Sequence, residues 1–273
     1  FHYENSILRS ILTRRFVTHA KQYTNAMPMN YPLDETDLKR KIDELNARWE
    51  EACPDDFVSY GFYPYYTKQK YRILFVGREA RGLSGCDYIQ ALYENDYVKG
   101  TGVTNGHFHQ RILYLAYGLL NDFPPYAEIP HSSEIGQNDF AQGKLSFAFM
   151  NISTISNETD DWKTQPNEYA KSARDGASYR RKMIEILAPD IIVCANCGWD
   201  ITQLADRFDS LESSDPINTE QLFFGSKSCL RFDTFHWQAT TAKIDGENVG
   251  LYDEDHFYNP LRDAFRKYRH LIE

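Results

Sequence analysis

Four short apolar runs constrain this chain more than anything else in it: "YRILFVG" (Tyr71 to Gly77), "KLSFAFMNIS" (Lys144 to Ser153), "DIIVCA" (Asp190 to Ala195) and "SCLRFDTFHWQ" (Ser228 to Gln238). Each is rich in β-branched and aromatic residues, too short for a buried helix, and stopped by a polar or glycine-bearing turn. That is the pattern of a strand buried on both faces. Between them lie helical stretches. "HFHQRILYLAYGLL" (His107 to Leu120) is apolar on one broad face, "NEYAKSARDGASYRRKMIEILAP" (Asn167 to Pro189) reads as one long helix stopped by its proline, and "GWDITQLADRF" reads as the next. Strands separated by helices imply parallel pairing with helices on both faces. The expectation is an α/β chain, a three-layer α/β/α arrangement around a central, mainly parallel four-stranded sheet.

Before the first strand, two helices are expected. In the second, "DETDLKRKIDELNARWEEA", Leu38, Ile42, Leu45 and Trp49 fall at helical spacing behind Asp34 as N-cap. "CPDDFVSYGFYPYY" follows as an aromatic linker, and "FPPYAEIPHSSEIGQ" reads as a loop. "NPLRDAFRKYRHLI" closes the chain as an amphipathic helix with Pro260 in its first turn. Residues 1–60 are therefore expected to form a helical extension packed on the core, and residues 61–273 the α/β domain.

A net charge of −9 argues against a protein that coats nucleic acid without specificity, because such binding neutralises phosphates with Lys and Arg. Basic clusters at Arg9 to Lys21, Arg174 to Lys182 and Arg262 to His270 are expected to be solvated helix faces. Five cysteines in 273 residues make no disulfide scaffold and fit a reducing cytoplasm. Cys194 and Cys197 form a CxxC, but Cys194 belongs to an apolar strand, so a buried pair is expected rather than a redox centre. No second CxxC completes a zinc site, and His107 and His109, two residues apart, do not share a helix face. No metal and no cofactor are expected. No run of 18 apolar residues occurs and the first residues lack a signal core, so a soluble, cytoplasmic protein with no membrane partner is expected.

Polar groups suited to chemistry stand at the strand ends: Glu79 and Arg81 after the first, Asn151 closing the second, His236 after the fourth. Parallel strands bring such termini to one edge of a sheet, where open α/β folds bind their ligands. In "VGREARG" (Val76 to Gly82), "FAFMN" (Phe147 to Asn151) and "FHWQA" (Phe235 to Ala239), taken in that order, the chain resembles the uracil-DNA glycosylase superfamily. That family has a parallel sheet between helices, an acidic or polar residue in a "GQDPYH" or "GEAPG" loop after the first strand, an Asn closing an "LLLN"-like strand, and "HPS" after the last. "RRKMIEILAPDIIVCA" is similar to the family's helix, proline and third strand, and "DHFYNPLRDAF" to its "HFS" entry into the last helix. The resemblance runs from about Tyr71 to the C-terminus. It departs at Ala80 or Arg81, which replaces the loop proline, and at Trp237-Gln238, which replaces the proline and serine of "HPS". The cysteines do not match the paired set of the iron–sulfur branches, which implies no cluster.

The resemblance implies a DNA glycosylase that hydrolyses the N-glycosidic bond of uracil or another deaminated or damaged base, flipped out because that bond is inaccessible in the duplex. Glu79 and His236 would be its catalytic residues. His236 would donate a hydrogen bond to the carbonyl oxygen that gains charge, and Glu79 would orient a water or balance positive charge on the sugar. Asn151 would read the Watson–Crick edge. Gly77 and Arg78 would complete the base site, with Tyr88 or Phe75 as the stacking face. Arg81, Trp237 and Gln238 are candidate nucleic-acid or phosphate contacts, although Trp237 suits packing better than a wedge between bases. Arg78 and Arg81 could instead pair with acids such as Asp87. The implied partner is DNA, single strands included, or a nucleotide-like ligand.

Two alternatives stand beside it. One is a non-catalytic or repurposed member of the fold that binds a nucleotide, a modified base or a protein partner. The other is an SGNH-type esterase, suggested by "GQND" (Gly136 to Asp139) and "DEDH" (Asp253 to His256), which lacks the nucleophilic serine after its first strand. A basic rim around the site would suit DNA, and an acidic or closed rim a small ligand or a protein.

Overall fold

The computed structural model describes residues 29–53, 56–99, 106–159, 163–212 and 216–273. Among these residues the strands are β1 (Gly61–Phe62), β2 (Ile73–Gly77), β3 (Ala148–Asn151), β4 (Ile191–Ala195), β5 (Arg207–Ser210), β6 (Asn218–Phe224), β7 (Lys227–Thr234), β8 (Thr241–Ile244) and β9 (Glu247–Gly250). The four apolar runs supply β2, β3, β4 and β7. These lie side by side in the order β3, β2, β4, β7, and all three pairings are parallel. Every residue of β2, β3 and β4 is buried. Successive side chains point to opposite faces, so both faces of the sheet are covered.

Register decides where the site can be. Gly77 pairs with Asn151, Val76 with Cys194, and Ala195 with Thr234. The carboxyl ends of the four parallel strands are therefore level, and Asn151, at the end of β3, and the loops carrying Glu79 and His236 lie along one edge of the sheet.

The sheet is wider than the expected four strands. β1 adds antiparallel to β3 at one margin, while β6 adds antiparallel to β7 and β5 to β6 at the other, making seven strands. β5 is exposed along its whole length, so no apolar run marks it. β8 and β9 form a separate hairpin whose turn, Asp245-Gly246, holds both residues at positive φ, 51° and 87°. The Asp-Gly dipeptide suits such a turn because neither residue carries a branched Cβ.

The helices that flank the sheet are α1 (Thr36–Ala52), α2 (Tyr88–Leu92), α3 (His107–Leu120), α4 (Pro166–Asp175), α5 (Ala177–Leu187), α6 (Gly198–Thr202) and α7 (Asn259–Tyr268). α1 buries Ile42, Leu45 and Trp49 in the same core as the strands and lies against α5. The earlier of the two expected N-terminal helices falls outside the described residues.

Four expectations need correction. Asp34 does not cap α1; a 3₁₀ turn, Leu33–Glu35, precedes the helix, and Asp34 pairs with Lys68. Glu35 turns inward instead, fully buried, and accepts from the amides of Tyr65 and Thr67 at 2.8 and 2.7 Å and from the Thr67 hydroxyl at 2.9 Å. The long helix expected over Asn167 to Leu187 is broken at Gly176. A Cβ there would meet Arg180 Nη1 at 2.7 Å and Trp49 Cζ2 at 2.8 Å. Arg180, one of the expected solvated cations, is buried and donates to the carbonyls of Ile152, Ser172 and Ala173, closing the end of α4 that the break exposes. The helix expected in "GWDITQLADRF" ends at Thr202, and the chain turns into β5.

Candidate functional site

β2 ends in Gly77 because Asn151 occupies the space beside it. A Cβ on Gly77 would lie 2.2 Å from Asn151 Oδ1 and 3.2 Å from Phe149 Cζ. Asn151 is 1% exposed. Its Nδ2 donates to the Tyr60 hydroxyl at 3.0 Å, and that hydroxyl donates to the Ser153 carbonyl at 3.3 Å. Asn151 Oδ1 is buried and accepts no hydrogen bond among the described residues. A buried acceptor without a donor is costly, and at the carboxyl end of a parallel sheet it is where a ligand's N–H would be expected to bind.

Two residues beyond Gly77, the Glu79 side chain is 8% exposed. Its Oε1 accepts from Thr164 Oγ1 at 2.7 Å, Asn157 Nδ2 at 3.1 Å and Arg81 Nη2 at 3.3 Å. Asn157 and Thr164 belong to the segment after β3, so this carboxylate ties the loop of β2 to that of β3. Arg78 reaches a different partner. Its guanidinium lies 4.9 Å from the ring centre of Tyr169, whose hydroxyl donates to Asp200 at 2.9 Å, and its Nε is buried with no acceptor among the described residues.

His236 follows β7. The amide of Gln238 donates to its Nδ1 at 3.2 Å, so the proton of the neutral ring is on Nε2. Burial, reinforced by the positive charges of Arg78, Arg81 and Arg111 against the opposing pull of Glu79, lowers its pKa to about 4. At neutral pH it is an uncharged N–H donor. The loop is braced from beneath by Arg111 of α3, 1% exposed, which donates to the Trp237 and Ala239 carbonyls at 2.8 and 2.6 Å and to Asp253 at 2.7 Å. The same guanidinium lies 4.0 Å from the ring centre of Phe257.

Several candidates take other roles. Trp237 is fully buried, edge-on to Phe75 and Phe108, with Nε1 donating to Thr234 Oγ1 at 3.0 Å. It is a core residue and not a nucleic-acid contact. Tyr88 is 5% exposed and stacks on Phe149 with centroids 4.5 Å apart and planes at 6°. That face is taken, and Phe75 is fully buried. Neither ring provides the expected stacking surface. Asp87 caps α2 by accepting from the Gln90 amide at 3.0 Å. Gln238 contributes its backbone to His236 while its side chain is exposed. The second esterase block is structural: Asp253 is the partner of Arg111, and His256 Nδ1 accepts from the Tyr252 amide at 3.1 Å.

Phe108, which sequence reasoning passed over, lies beside the imidazole instead. It is half-buried in the first turn of α3, with its ring centre 5.9 Å from that of His236, 5.3 Å from that of Trp237 and 6.2 Å from that of Phe149. Its position inside "HFH" at a helix start hides it, because helical periodicity counts it as core.

All five cysteines are free, and burial pushes the Cys194 thiol well up, away from thiolate chemistry. Cys197 Sγ donates to the Val76 carbonyl at 3.4 Å. Among the described residues no group of three or more His, Cys, Asp or Glu could hold a metal ion, and no helix is long and apolar enough to cross a membrane. The chain matches no protein-family model and no curated protein sequence.

Proposed function

We propose that the chain is a divergent uracil-DNA glycosylase-like protein, and that its strand-end site hydrolyses the N-glycosidic bond of uracil or another deaminated base. One observation carries the proposal: a neutral imidazole with its proton on Nε2 and a buried, unpaired Asn151 Oδ1 share the level carboxyl edge of a parallel sheet. The order of Glu79, Asn151 and His236 along the chain supports it as well.

In this mechanism Asn151 Oδ1 accepts a ring N–H of the base. His236 Nε2–H donates to the carbonyl oxygen that gains negative charge as the base leaves. A neutral donor of low pKa stabilises that charge without transferring its proton. Glu79, fixed by three donors on Oε1, places a carboxylate where positive charge develops on the sugar or where water attacks. Arg78 and Arg81, whose charges reach His236, supply a local positive field in a chain of net charge −9. The 1% exposure of Asn151 favours a second reading, a closed site that admits a free base or nucleoside rather than DNA.

The test is base release from single- and double-stranded oligonucleotides carrying uracil or hypoxanthine, comparing the wild type with His236→Ala and Asn151→Ala. Release that falls about a hundredfold or more in each variant is expected from loss of one oxyanion donor or one positioning contact. No release by folded wild type would overturn the catalytic proposal. Binding of free uracil in that case would favour the second reading.

A further inference from the structure

We infer that Tyr60, a residue of the linker before β1, sets the polarity of the Asn151 amide and so decides which hydrogen-bonding pattern on a base the site accepts. The inference rests on the base-binding reading of the strand-end site. A primary amide is a donor at one end and an acceptor at the other, and the two ends are nearly the same size. Left to itself it can present either end to a ligand. A tyrosine hydroxyl has a single proton, and Tyr60 gives that proton to the Ser153 carbonyl at 3.3 Å. Its oxygen can then only accept from Asn151, and it does so from Nδ2 at 3.0 Å. The chain Asn151 to Tyr60 to Ser153 therefore runs in one direction.

Its consequence is at the other end of the amide. With Nδ2 held, Oδ1 faces the Gly77 end of β2 as a bare acceptor, buried and unpaired among the described residues. Tyr60 is 2% exposed, so water does not compete for its hydroxyl, and burial raises the pKa of that hydroxyl, which keeps its proton on at every working pH. The rings of Tyr88 and Phe149, centred 5.5 and 6.3 Å from that of Tyr60, fix its plane. An acceptor at this point pairs with the ring N–H of an imide or lactam base such as uracil. It repels the bare ring nitrogen that cytosine shows at the equivalent place, leaving two acceptors face to face.

The experiment is equilibrium binding of free uracil and free cytosine to the full chain, wild type and Tyr60→Phe, with hydrogen exchange of the Asn151 side-chain amide followed by NMR. Removing the hydroxyl frees the amide to turn. The expected result is a uracil-over-cytosine preference in the wild type that shrinks about tenfold in Tyr60→Phe, one hydrogen bond's worth of discrimination. A merely structural role would weaken both bases in parallel and leave the ratio unchanged, which would overturn the inference. In the wild type the Asn151 side-chain protons are expected to exchange slowly; fast exchange would overturn it too, without reference to any variant. Wild type that binds neither base would refute the base-binding reading itself, and the role of Tyr60 with it.

Discussion

Gly77→Ala is the smallest change that asks whether the strand-end geometry matters. Gly77 lies within a regular parallel strand, so its backbone suits alanine and the substitution alone would gain a few tenths to about 1 kcal/mol by stiffening the unfolded chain. Against that stands a contact. The new methyl would sit 2.2 Å from Asn151 Oδ1 and 3.2 Å from Phe149 Cζ, and an ordinary contact needs about 3.5 Å or more. Asn151 must retreat by about 1 Å, the scale at which misplaced binding groups lose roughly a hundredfold in rate. Its retreat is resisted by the Tyr60 hydrogen bond on one side and by a fully buried strand on the other. Overpacking of this kind costs about 1–3 kcal/mol, so the net loss of stability is expected to be about 1–2 kcal/mol. Urea denaturation gives the stability, and uracil binding or release gives the function. A variant as stable as the wild type, with unchanged affinity for uracil, would refute the claim that Gly77 is glycine to make room for Asn151.

Two other expectations follow from the same edge of the sheet. Arg111→Met would leave the Asp253 carboxylate and the Trp237 and Ala239 carbonyls without their donor; a loss of about 3–5 kcal/mol in urea melts is expected, and a loss under 1 kcal/mol would show that the brace carries little. His236 and His109 both have pKa values lowered by burial from 6.5 to about 4. The unfolded chain therefore takes up their protons first on acidification. Their contribution to stability is fully present above pH 6.5 and drains between 6.5 and 4, with a limiting slope of about 2.7 kcal/mol per pH unit for the two together. Asp87 and Asp233, raised by burial, work in the opposite sense. Between pH 6.5 and 5 the slope should shrink in His236→Gln; an unchanged slope would contradict a buried neutral imidazole.

The parallel core was legible because its signal is local. β2, β3 and β4 are buried on both faces, and such strands announce themselves as unbroken apolar runs ended by Gly77, Asn151 and the turn after Ala195. The rest of the sheet had no such signature. β1 is two residues long, β5 is exposed and polar, and β6 carries Asn218, Glu220 and Gln221. Glu220 is tolerated in a buried strand because Arg231 on β7 reaches it at 2.7 Å and the Thr202 hydroxyl donates to it at 2.5 Å, pairings that exist only after distant segments have joined. The break at Gly176 belongs to the same class, since Trp49 and Arg180 create the need for it from far along the chain or across a turn.

The site divides along the same line. Glu79, Asn151 and His236 could be picked out because each follows an apolar strand directly, and level strand ends turn sequence adjacency into spatial adjacency. What each side chain does depends on partners that no local pattern contains. Trp237 stands one residue from His236 yet is drawn into the core by Phe75 and Thr234, while Phe108, on the helix His107–Leu120, comes to lie beside the imidazole. Asn151 is the sharpest instance. The residue is visible in the sequence, but whether it shows a ligand a donor or an acceptor is decided by the single proton of Tyr60, 91 positions earlier in the chain. On the proposed reading, residue type at a strand end locates the chemistry, and the direction of the buried hydrogen bonds behind it decides which chemistry.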